Sequence, residues 1–138
     1  MTSLFADTFY WIAVTDSADA SHHRAMALTN KLHRIPLVTT DEVLIEFLTF
    51  FAGSGPALRF KAAGVVQYVL SAPGVRVIPQ SRASFLAGLG LYEQRPDKGY
   101  SLTDCISMQT MRREGIVEAL TTDRHFEQEG FRALFRDS

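Results

Sequence analysis

Four acidic residues carry the chemistry this chain could do: Asp7, Glu46, Asp104 and Asp123. Asp7 closes the short apolar run Leu4-Phe5-Ala6, and Asp123 follows the apolar run from Val117 to Thr121. In open α/β sheets ligands gather beyond the carboxyl ends of the strands, so residues just after a strand are placed to build a site. Asp is also common at strand exits, and a turn or cap role accounts for either residue taken alone. Glu46 borders a stripe of Val43, Leu44, Phe47, Leu48 and Phe51 that shares one helical face, while Glu42 lies nearly opposite and reads as a capping residue. By itself Glu46 reads equally well as a flanking surface charge. Asp104 is the one formally charged residue between Ser101 and Met111, so its helix is expected to be mostly buried. A buried carboxylate needs hydrogen bonds, a countercharge or a cation. A capping role at the positive end of a helix satisfies that need and is compatible with cation binding.

Four carboxylates gathered at the strand ends would repel one another, each close pair costing on the order of a few kcal/mol at an effective dielectric of about 20. A cation relieves that repulsion. All-oxygen donors suit Mg²⁺ or Mn²⁺, hard ions that keep several waters and bridge to phosphate. The chemistry that follows is metal-assisted phosphodiester hydrolysis. Asp41 and Glu42 stand close enough to Glu46 to serve as alternative acids if the helix register differs.

The elements that must position these groups are legible as an alternation. Strands are expected at 4–6, 36–39, 75–79, 117–121 and 131–135. Between them, helices are expected from Ser21 to His33 with Ser21 as N-cap, from Thr40 to Phe51, from Pro56 to Ser71, from Ser81 to before Arg95, and from Ser101 to Gly115. Thr39 and Glu42, and again Ser101 and Asp104, have capping-box spacing. Short strands alternating with helices predict an α/β fold, a three-layer α/β/α sandwich with a mainly parallel sheet of four to five strands.

The chain has 138 residues and a formal net charge of -1, which suits one domain over 1–138 and no global attraction to polyanions. The single cysteine, Cys105, and the early acid Asp7 favour the cytoplasm, and the longest apolar run, Val43 to Phe51, is too short to cross a membrane. His22, His23 and His33 lack zinc-ligand spacing and read as surface residues. Phe9, Tyr10 and Trp11 read as core or as a dimer contact, with base stacking the alternative. Arg112 and Arg113 read as a solvated helix end, with RNA contact the alternative.

The strings Tyr100-Ser101-Leu102-Thr103-Asp104-Cys105 and Thr121-Thr122-Asp123-Arg124-His125-Phe126 resemble the C-terminal half of PIN-domain ribonucleases of the VapC toxin type. Phe5-Ala6-Asp7-Thr8 and Val43-Leu44-Ile45-Glu46 extend the resemblance over essentially the whole chain. The resemblance implies a ribonuclease using Mg²⁺ or Mn²⁺, with metal ligands at Asp7, Glu46, Asp104 and Asp123. It also implies hydroxyl groups at Thr8, Ser101 and Thr122 that orient those acids. A homodimer and an inhibitory antitoxin partner are implied as well. Arg124 and His125, directly after Asp123, are candidates to contact RNA phosphate, or form a surface pair beside a turn.

Three rivals stand beside this reading. A free-standing PIN ribonuclease of RNA processing would lack the antitoxin, and a non-catalytic PIN-like interaction module would lack the activity. A different Mg²⁺-dependent phosphoryl-transfer enzyme fits poorly, because a haloacid-dehalogenase-like phosphatase needs an acid where Phe9 stands. A response-regulator receiver needs a phosphoacceptor where Pro79-Gln80-Ser81 stands.

Overall fold

The computed structural model describes residues 2–136, so Met1, Asp137 and Ser138 of the expected 1–138 domain lie outside the described residues. In chain order the elements are β1 (Leu4–Ala6), α1 (Thr8–Thr15), α2 (His22–Lys31), β2 (Leu37–Thr40), α3 (Asp41–Phe50) and α4 (Pro56–Ser71). They continue with β3 (Val75–Ile78), α5 (Arg82–Gln94), α6 (Leu102–Glu114), β4 (Glu118–Leu120), α7 (Arg124–Gln128) and β5 (Arg132–Ala133). The five strands form one all-parallel sheet in the order β3-β2-β1-β4-β5, flanked by helices.

That order has a consequence for the site. The chain builds outward from β1 through β2 to β3, then returns to add β4 and β5 on the other side of β1. The crevice of a parallel sheet opens where the strand order reverses. Here that point lies between β1 and β4; Asp7 follows β1 directly, and Asp123 stands three residues beyond the end of β4.

Local signals explain most helix boundaries. Ser81 caps α5 by accepting from the Ser84 N–H at 3.0 Å, and Pro56 sits in the first turn of α4, where its missing N–H costs nothing. Ser101 and Asp104 form the expected capping box, and Gly115 ends α6 at φ 70°, a left-handed position that favours glycine. At α3 the cap moves by one residue: Thr40, rather than Thr39, accepts from the Val43 N–H. Thr39 is instead buried, donating to the Ala6 carbonyl and accepting from the Trp11 indole. Ser21 begins α2 without a side-chain cap bond, and its N–H donates to Asp19 Oδ1 at 2.8 Å.

Two helices escape the sequence pattern. The segment of α1 is apolar on every side and therefore shows no amphipathic period; Tyr10, Trp11 and Ala13 are all buried within it. Trp11 is 6% exposed, which places it and Tyr10 in the core and removes them from base stacking. α7 spans five residues, too few for a period to register. Phe5, Val38, Phe47, Phe51, Met108, Met111 and Phe126 form the centre of the core. Leu48, expected in the buried stripe of α3, is 38% exposed at the edge of that face.

Candidate active site

Asp7 follows β1 directly and is 7% exposed. Its Oδ2 accepts a hydrogen bond from the Thr121 hydroxyl at 2.8 Å, which ties the end of β1 to the end of β4. Burial pushes the Asp7 carboxyl up to about 7; the Thr121 bond opposes that rise, and the charges of Asp104 and Glu46 add to it.

Glu46 reaches the same region from the second turn of α3, where the Thr8 hydroxyl donates to its Oε1. Asp104 enters from the first turn of α6. Its Oδ2 accepts from the Ser101 N–H at 3.2 Å while its own N–H donates to the Ser101 hydroxyl at 3.0 Å. Burial raises the Asp104 carboxyl, and the charges of Asp123 and Glu46 raise it further. Asp123 is the N-cap of α7: its Oδ1 accepts from the His125 N–H at 2.9 Å, and its N–H donates to the Thr121 hydroxyl at 3.1 Å.

Four segments far apart in the chain therefore deliver carboxylates into one electrostatic neighbourhood. Asp104 and Asp123, together with His125, each offer a ligand atom within 4.8 Å of the others. His125 Nδ1 lies 3.3 Å from Asp123 Oδ1 and 3.7 Å from Asp104 Oδ2, and it is buried without a hydrogen-bond partner. Among the described residues no lysine or arginine forms an ion pair with any of the four acids. Crowded carboxylates without a countercharge, beside an unpartnered imidazole nitrogen, are a donor set that fits a divalent cation.

Several neighbouring side chains fall differently from their expected roles. The hydroxyl that touches the acids after β4 is that of Thr121; Thr122 presents its carbonyl to Arg136. Asp41, an alternative acid on sequence grounds, accepts from the Gln80 N–H at 2.8 Å and so pins the loop after β3. Glu42 lines a shallow groove with Ile45, Glu46, Thr49 and Thr103 beside the acids. Arg112, expected at a solvated helix end, bonds Glu129, whereas Arg124 is exposed next to Asp123, as both of its expected roles require. Sequence does not distinguish Thr121 from Thr122, because the choice between two adjacent threonines depends on the direction in which the chain leaving β4 presents each side chain.

The family profile described as PIN domain matches residues 4–131. The crystal structure of Mycobacterium tuberculosis VapC20, a toxin that cleaves the sarcin–ricin loop, is similar to this chain with a TM-score of 0.82 and 27% sequence identity. That similarity covers 94% of this chain and 96% of the VapC20 chain. No curated protein matches it in sequence. With the profile spanning nearly its full length, the chain belongs to the PIN domain family.

Proposed function

We propose that this protein is a Mg²⁺- or Mn²⁺-dependent endoribonuclease and the toxin of a toxin–antitoxin pair, acting as a homodimer in the cytoplasm. What supports the reading is that the charges of Glu46 and Asp104 act on Asp7, those of Asp123 and Glu46 act on Asp104, and Asp104 and Asp123 lie within ligand reach of each other, with no lysine or arginine paired to any of the four among the described residues. Likeness to VapC20, a toxin that cleaves the sarcin–ricin loop, supports a structured RNA loop as the substrate class. No helix among the described residues is long and apolar enough to cross a membrane.

Asp7, Glu46, Asp104 and Asp123 would hold the ion. A bound divalent cation supplies Lewis acidity, acidifying water and offsetting charge on the phosphodiester. The remaining work belongs to side chains that hold those acids still. Thr121 fixes one Asp7 oxygen, Thr8 fixes one Glu46 oxygen, and the Ser101 cap fixes Asp104. Such preorientation is what lets a site act on a developing charge without reorganising during the reaction. Arg124, exposed beside Asp123, meets the phosphate backbone of bound RNA, and His125 closes the site from the α7 side.

The test is cleavage of a sarcin–ricin-loop oligonucleotide by purified protein with Mg²⁺ or Mn²⁺, against an EDTA control. Asp104→Asn should lower the rate by about 100-fold or more, the scale of lost transition-state electrostatics. Inducible expression should arrest growth for the wild type and not for Asp7→Asn. Cleavage that persists in EDTA, or that is equal in Asp104→Asn, would overturn the nuclease reading. Cleavage in vitro without growth arrest would favour the free-standing processing enzyme.

A further inference from the structure

At the end of α7 away from Asp123 lies an ion cluster around one buried carboxylate that the chemistry above does not use. Glu129, the C-cap of α7, has a side chain only 4% exposed. Its Oε2 accepts from Arg95 Nε at 2.7 Å and from the Tyr100 hydroxyl at 3.0 Å, and its Oε1 accepts from Arg112 Nη2 at 2.7 Å. Burial pushes this carboxyl up, but the two guanidinium groups and the phenol outweigh burial and hold it down at about 2. A carboxylate buried at such cost needs all its donors, and removing any of them leaves charge uncompensated.

The position of these partners matters more than their number. A helix of five residues cannot maintain its own orientation, so α7 depends on ties at its ends. One end carries Asp123 and His125; the other carries Glu129. Tyr100 adjoins Ser101, whose cap holds Asp104, and the Tyr100 ring stands 5.1 Å from the His125 ring. Arg112 rises from the last turn of α6, the helix that begins at Asp104, and also lies over the Phe131 ring at 5.3 Å. A single carboxylate thus joins both ends of α6 to α7.

We infer that Glu129, clamped by Arg95, Arg112 and Tyr100, is a positioning residue that sets the spacing of Asp104 and Asp123 and thereby the affinity of the site for a divalent cation. This rests on the metal-nuclease reading. Groups that orient metal ligands without touching the ion typically change affinity by about 10–100-fold when altered.

The experiment is a Mn²⁺ titration of the full chain, following free Mn²⁺ by electron paramagnetic resonance, with folding of each variant checked by circular dichroism. Glu129→Gln should bind Mn²⁺ about 10-fold more weakly or worse, and Tyr100→Phe should weaken binding by a smaller factor while keeping both arginine pairs. Arg76→Gln, which breaks the Arg76–Glu114 pair at the far end of α6, should bind as the wild type does. If Glu129→Gln does not fold, Tyr100→Phe decides. A folded Glu129→Gln or Tyr100→Phe with the wild-type dissociation constant overturns the clamp and leaves the nuclease reading standing. A wild type that takes up no Mn²⁺ overturns both.

Discussion

Replacing Asp7 by Asn should make the metal-free protein more stable at neutral pH, although Asp7 is buried and hydrogen-bonded. The carboxyl is pushed from 3.8 to about 7, first by burial and then by the charges of Asp104 and Glu46, against the pull of the Thr121 hydroxyl. That gap corresponds to roughly 4 kcal/mol of free energy. Its sign follows from proton binding. Between about pH 4 and pH 7 the folded protein keeps a proton on Asp7 that the unfolded chain has released, so stability falls as pH rises through that window and the full cost applies above it. Asn is neutral throughout and its side-chain carbonyl still accepts from Thr121. In EDTA, urea unfolding should show Asp7→Asn leading the wild type by up to about 4 kcal/mol near pH 8, a lead that shrinks by roughly 3 kcal/mol at about pH 5. Adding excess Mg²⁺ should favour the wild type selectively, because ligand that binds only the folded state stabilises it by mass action. A difference independent of pH, or a variant less stable than wild type near pH 8 in EDTA, would refute the reasoning. The expected result is a carboxylate kept for function at the expense of stability.

Thr121→Val removes the donor to Asp7 Oδ2 and the acceptor of the Asp123 N–H, and should cost about 1–3 kcal/mol in urea unfolding, with RNA cleavage falling as well. Gly88→Ala should lower stability by about 1–3 kcal/mol, read as a lower Tm, because a Cβ there meets Ile106 Cγ1 and lies 3.1 Å from the Ile106 backbone N where α5 crosses α6. Phe47→Ala should cost about 3–5 kcal/mol, whereas Leu48→Ala on the partly exposed edge of the same helix should cost far less by the same unfolding assay. Equal losses at the two positions would mean that the observed face of α3 is wrong.

Most of the scaffold is written locally. A capping box at Ser101 and Asp104, a proline at the start of α4, a left-handed glycine after α6 and short apolar runs all act over a few residues, so the alternation of strands and helices was legible without coordinates. The candidate acids stood out in the sequence for related local reasons: Asp7 and Asp123 follow apolar runs, Glu46 borders an apolar helical face, and Asp104 is the one charge in its stretch of α6. α1 was not legible because a helix apolar on all sides has no polar face to reveal its period. α7 was not legible because its five residues hold their conformation through contacts made elsewhere.

Which hydroxyl serves which acid was settled only by the tertiary structure. Thr39 and Thr40, and Thr121 and Thr122, are chemically identical neighbours, and the facing of a strand decides which one caps a helix and which one meets Asp7. The clamp on Glu129 lies further still from the sequence pattern, since Arg95, Tyr100 and Arg112 come from the end of α5, the loop before α6 and the last turn of α6. Types and spacings of residues determine helices, strands and where charge must collect. Partners for a buried charge are chosen by the meeting of distant segments, because desolvation becomes costly, and compensation necessary, only once the chain has closed around it.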